Sequence, residues 1–99
     1  MYYLACFFTG AFLCNAIPHL ASGLQGRAFP TPFATPRGVG NSSPLINTLW
    51  GFLNLLAGLV LLSKFPAPVS LTPEFAAVCA GALILGIHLS RHFGKVRRD

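Results

Sequence analysis

The feature that most constrains this chain is an uncharged, mainly apolar run at residues 45–62. Eighteen residues in an α-helix extend about 27 Å, close to the roughly 30 Å hydrocarbon core of a bilayer. Ser43 can cap the start of this helix, Pro44 suits its first position, and Lys64 marks its end. The run therefore predicts a transmembrane helix over about 44–63.

Two further apolar segments flank this one. The segment at about 1–21 has no basic residues at its start and no convincing cleavage site, which favours a retained helix over a cleaved leader. The segment at about 73–91 begins with a candidate cap at Thr72 and a proline at the first position. The prediction is an all-α integral membrane protein: a single membrane domain, 1–99, with three transmembrane helices.

The composition agrees with a membrane protein. Charged residues make up 9% of the chain and the mean hydropathy is +0.64, whereas an average soluble domain is roughly 25% charged. The net charge of +5 is not accompanied by the polar surface of a nucleic-acid-binding domain, so the expected surroundings are the lipid bilayer and not nucleic acid. The three cysteines lie in apolar segments and predict no disulfide framework.

The basic residues indicate an orientation. Three spans place the loop 22–43 and the C-terminal tail 92–99 on one side of the membrane. Lys64 and the amino terminus lie on the other side. The first side holds six basic residues: Arg27, Arg37, Arg91, Lys95, Arg97 and Arg98. Basic residues favour the cytoplasmic side. We therefore expect a multi-pass cell-membrane protein with its N-terminus outside and its C-terminus in the cytoplasm.

The loop 22–43 is rich in proline, glycine and phenylalanine and does not resemble a flexible linker. Its prolines favour an extended path, and its phenylalanines suit either the membrane interface or packing back against the helices. Arg37, Gly38, Gly40 and Ser43 lead into the second span, where backbone N–H groups and a guanidinium can attract an anion. These four residues are the predicted binding site for an anionic lipid headgroup; a plain turn and helix cap is the alternative.

Polar residues at helical spacing occur within the first two spans. Asn15 and His19 share one face of the first helix, and Asn47, Trp50 and Asn54 share one face of the second. Unpaired amides are costly in hydrocarbon, so these faces are expected to meet as a polar seam or to line a polar cavity.

Two other patterns suggest weaker interpretations. His19, His88 and His92 are loose candidates for a metal site, and we predict neither a metal nor a cofactor there. Small residues spaced four or seven apart indicate close helix packing, within the chain or between copies: Ala77 with Gly81, Ala82 with Gly86, and Gly51 with Gly58.

The functional classes narrow accordingly. The chain has two carboxylate side chains, Glu74 and Asp99, which three spans place on opposite sides of the membrane, so no acid/base pair or catalytic triad is expected and the chain is not predicted to be an enzyme. We expect a small membrane interaction or accessory protein that binds anionic lipid headgroups on the cytoplasmic side. It is expected to form a homo-oligomer or to join a larger membrane complex. The alternative is an oligomeric channel or carrier for a small solute, built around the polar seam.

Overall fold

The computed structural model describes residues 1–97 as three helices joined by one structured loop and one short connection. The last two residues of the predicted basic tail, Arg98 and Asp99, lie outside the described residues. The helices are α1 (Tyr2–Leu24), α2 (Pro44–Lys64) and α3 (Pro73–Val96). All three are long and apolar enough to cross a membrane, as predicted.

The starts of α2 and α3 follow from their capping residues. The Ser43 hydroxyl accepts a hydrogen bond from the Ile46 N–H at 3.2 Å, and the Thr72 hydroxyl accepts one from the Phe75 N–H at the same distance. A proline follows each cap, at the position where a missing N–H costs nothing. The C-terminal ends of α1 and α3 lie beyond the predicted spans. Helix α1 continues to Leu24, and residues 92–96 of the predicted tail belong to α3.

Helix α1 is the central element, and α2 and α3 pack against it from different sides. Small residues allow this close packing. On α3, Gly81 lies against the Phe7 carbonyl, and on α1, Gly10 lies against the Val78 carbonyl, so these two helices are in backbone contact. On α2, two glycines likewise face leucines of α1. Gly51, Gly58 and Gly81, which belong to the small-residue pairs predicted from the sequence, therefore serve packing within one chain.

The loop between α1 and α2 folds back over the ends of the helices. Two-residue strands β1 (Phe29–Pro30) and β2 (Asn41–Ser42) pair antiparallel and close it. Phe29 is buried, with its ring centroid 4.6 Å from that of Phe93 and 5.5 Å from that of His19. Phe33, in contrast, is exposed. The sequence left open whether the phenylalanines of this loop lie in the membrane interface or pack back against the helices. Phe29, in β1, packs against the helices.

Candidate functional site

The side chain of Asn47 joins the loop to the start of α2. It is fully buried, and its amide nitrogen lies 2.9 Å from the Phe29 carbonyl oxygen, 3.2 Å from that of Ser42 and 3.1 Å from that of Ser43. Two amide hydrogens are thus shared among three acceptors. Since only the NH₂ group can face three carbonyls, the amide oxygen of Asn47 must point the other way, toward His19.

This arrangement also fixes the protonation of the His19 ring. The Nδ1 atom of His19 lies 2.8 Å from the Asn47 amide oxygen, which can only accept a hydrogen bond, so Nδ1 carries a hydrogen and donates it. In the neutral ring Nε2 is then an acceptor. His19 is 2% exposed, and within residues 1–97 no group donates to its Nε2.

A second polar pair lies deeper between α1 and α2. The Asn15 amide nitrogen donates to the Asn54 amide oxygen at 3.0 Å, and the Asn54 amide nitrogen donates to the Trp50 carbonyl at 2.8 Å. Of the five seam residues, four thus form two cross-helix pairs. Trp50 takes part through its carbonyl only; its indole N–H is covered by neighbouring atoms and lacks an acceptor in the described chain.

A cavity lies beside these residues, between α2 and α3 and under the loop. Its inner chamber, about 150 Å³, is lined by Asn15, His19, Pro30, Thr31, Pro32, Gly38, Trp50, Leu89, His92 and Phe93. An outer groove of about 380 Å³ is lined by Phe8, Ala11, Phe12, Asn15, Trp50, Asn54, Leu85, His88 and Leu89. The two share three lining residues, so they adjoin each other, and together they combine apolar walls with a few polar atoms. This is the usual character of a small-molecule site.

The predicted anion site has a different geometry from that of an anion-binding loop. The Gly38 N–H donates to the Thr31 carbonyl at 2.9 Å, and the Gly40 N–H donates to the Pro36 carbonyl at 2.8 Å. Gly38 has a φ of 65°, a turn conformation that suits glycine. These N–H groups therefore stabilise the loop itself, and Ser43 caps α2. Arg37, which is exposed, is the member of the set that remains available to an anion.

The three histidines do not come together as a cluster. His92 Nε2 lies 2.7 Å from the Gly38 carbonyl, to which it must donate, while His88 is exposed and stacks on His92 with ring centroids 6.3 Å apart. No group of three potential metal ligands occurs within residues 1–97.

Two contacts of the loop had no signal in the sequence. The hydroxyls of Thr31 and Ser42 hydrogen-bond at 2.6 Å across the β1–β2 pair, although Thr31 is separated from Ser42 by the whole turn of the loop. The Arg97 guanidinium lies 5.0 Å above the centre of the Phe29 ring, in a cation–π contact. Both contacts depend on the loop folding back onto the helices.

Another concavity, which we call the loop groove, also has Trp50 in its wall. It measures about 680 Å³ and is lined by Phe33, Ser42, Ser43, Ile46, Leu49, Trp50 and Leu53.

Comparison of this chain with protein-family models, curated proteins and solved structures finds no significant match.

Proposed function

We propose that this chain is a small multi-pass membrane interaction protein that binds anionic lipids at the loop end of its helices. By the loop end we mean the loop with the C-terminal ends of α1 and α3. Five of the six basic side chains within residues 1–97 lie there: Arg27, Arg37, Arg91, Lys95 and Arg97. Glu74 and Lys64 lie at the opposite end. Such a one-sided positive charge attracts anionic headgroups at about 1 kcal/mol per basic residue.

The observation that carries this proposal is the loop groove at that same end. Ile46, Leu49 and Leu53 are spaced three and four apart and form one apolar face of α2 along it. The groove reaches the hydroxyl-bearing residues Ser42 and Ser43 at the start of α2. An acyl chain lying along this face would place its headgroup beside the serines and the basic loop.

The alternative, an oligomeric channel or carrier along the polar seam, has less support. Asn15 with Asn54, and His19 with Asn47, hydrogen-bond to each other between α1 and α2. Side chains engaged in this way favour helix association over a continuous polar path. An oligomer or a larger complex stays part of the proposal, without an interface assigned to it.

Lipid binding is tested by replacing one arginine of the loop. Arg37→Ala is expected to lower retention of phosphatidylglycerol severalfold, and Arg37→Lys to restore it only in part, because an ammonium cannot donate two parallel hydrogen bonds to a phosphate. Native mass spectrometry of detergent-solubilised protein measures the retained lipid. Arg27→Ala is the matched control: it removes one exposed charge from the same end and should lose only the nonspecific attraction, hence less lipid than Arg37→Ala. Equal retention by Arg37→Ala and the wild type would contradict a contact through Arg37.

The orientation in this proposal has its own test. If the loop end faces the cytoplasm, a reporter that is active only outside the cytoplasm should be silent when fused after Asp99. The same reporter inserted within 65–71 should be active. The physical reason is the retention of basic segments on the cytoplasmic side. The reverse pattern would place the loop and its arginines on the outer face.

A further inference from the structure

The inner chamber contains hydrogen-bond acceptors that the described chain leaves unpaired. His19 Nε2 is one, because Nδ1 of the same ring donates to Asn47. In its neutral form His92 offers Nδ1, because its Nε2 donates to Gly38. The amide oxygen of Asn15 is the third, since only the nitrogen of that amide is engaged, with Asn54. All three residues line the chamber, and His19 is almost completely buried. An acceptor that opens into a mainly apolar chamber gains free energy from a hydrogen-bond donor, so the chamber favours a ligand that donates hydrogen bonds.

The charges around the chamber argue for a neutral ligand. Within residues 1–97, no carboxylate side chain lines the inner chamber or the outer groove, and the Arg97 guanidinium lies nearby, over Phe29. A cationic head would therefore lack a counter-charge, which is costly in a buried site. A carboxylate head can only accept hydrogen bonds, so it could not pair with the three acceptors of the chamber. A hydroxyl avoids both penalties and can donate to His19 Nε2.

The outer groove indicates what the rest of the ligand is like. Its walls include Phe8, Ala11, Phe12 and Leu85, and it runs along α1 between α2 and α3. A chain of methylene groups gains free energy by covering such walls. The chamber, at about 150 Å³, holds roughly five water volumes, enough for a small polar head.

We propose that the inner chamber and outer groove together bind an uncharged lipid alcohol. Its hydroxyl donates to His19 Nε2, and its hydrocarbon chain occupies the outer groove. This site shares only Trp50 with the lining of the loop groove, and the proposal is independent of the contact with anionic lipids.

Trp50, the single tryptophan of the chain, lines both parts of the cavity, so its fluorescence reports binding there; it also lines the loop groove, so variants must locate the binding. The probe is ω-bromoundecanol, whose bromine quenches indole fluorescence, added to the protein in phosphatidylcholine nanodiscs. We expect a saturable component of quenching above the linear background from bilayer partitioning. The methyl ether of the same probe cannot donate a hydrogen bond and should give the linear background only. Equal saturation by the ether, or no saturation by the alcohol, would overturn the proposal; in the latter case the chamber holds water only.

Two variants locate the binding. His19→Asn retains an N–H at the position of Nδ1, for the bond to Asn47, but removes Nε2; saturation should require about fivefold more alcohol, the equivalent of one lost hydrogen bond. Ala11→Leu narrows the outer groove without altering the polar network and should weaken binding independently. Val60→Leu, at an exposed position on α2, is the control. Unchanged saturation in Ala11→Leu, or in a folded His19→Asn, would overturn the proposal.

Discussion

Asn47→Asp is expected to cause a large loss of stability although it changes only one group of atoms. The substitution places a carboxylate oxygen where an NH₂ group now donates to three carbonyl oxygens at 2.9–3.2 Å. The site is fully buried, so the new oxygen would face these carbonyls without solvent, and the donor that remains, His19 Nδ1–H, contacts only the other oxygen. An uncompensated buried charge costs about 3–5 kcal/mol. Thermal unfolding in detergent, followed by circular dichroism, measures the effect.

The matched control is Asn41→Asp. Asn41 lies in β2, six residues before Asn47, and its side chain is exposed. The same chemical change there should alter the free energy of unfolding by less than about 0.5 kcal/mol. If the two variants unfolded at the same temperature, Asn47 would not be the residue that holds the loop on the helices.

The second large effect is expected from Gly81→Ala on α3. A Cβ at this position would fall on the carbonyl of Phe7, so α1 and α3 would have to move apart. Overpacking of this kind typically costs about 1–3 kcal/mol. The same thermal unfolding assay should show a clear decrease, even though alanine favours a helix over glycine.

The control for this prediction lies on the same helix. Among residues 1–97, and apart from the backbone of α3 itself, no atom lies within 4 Å of the position that a Cβ of Gly94 would occupy, so Gly94→Ala adds helix propensity without a clash. Its expected effect is a gain of up to about 1 kcal/mol. The two substitutions are chemically identical and should differ in sign. A gain in both would contradict backbone contact between α1 and α3.

The helices were predictable because their signals are local. Long uncharged runs indicate their lengths, and the caps at Ser43 and Thr72 with the following prolines indicate two of their starts. The central position of α1 was not predictable. Small residues occur on all three helices, and nothing in one sequence states which helix each glycine faces. The boundaries at Leu24 and Val96 also differed, because polar and basic residues continue a helix beyond its apolar part.

The site was less accessible to sequence analysis, since its decisive partners are backbone groups. Helical spacing predicted that Asn15 and His19 share one face. It could not predict the three carbonyls around Asn47, because the returning loop brings them there. The glycines at 38 and 40 illustrate the same difficulty. An anion-binding loop and a closed turn share a glycine-rich pattern, and only the positions of the Thr31 and Pro36 carbonyls distinguish them.

The central position of α1 has a consequence for how the protein is made. The hydrogen bonds of Asn47, His19 and Asn54, and the Thr31–Ser42 pair, all lie within residues 1–64, which leave the ribosome before α3. The first two helices and their loop can therefore form these hydrogen bonds before α3 has left the ribosome. Helix α3 is the last of the three to emerge. Its His92 then hydrogen-bonds to the Gly38 carbonyl, and its Leu85 and Leu89 complete the wall of the cavity. The order of synthesis is thus also the order in which the cavity is completed.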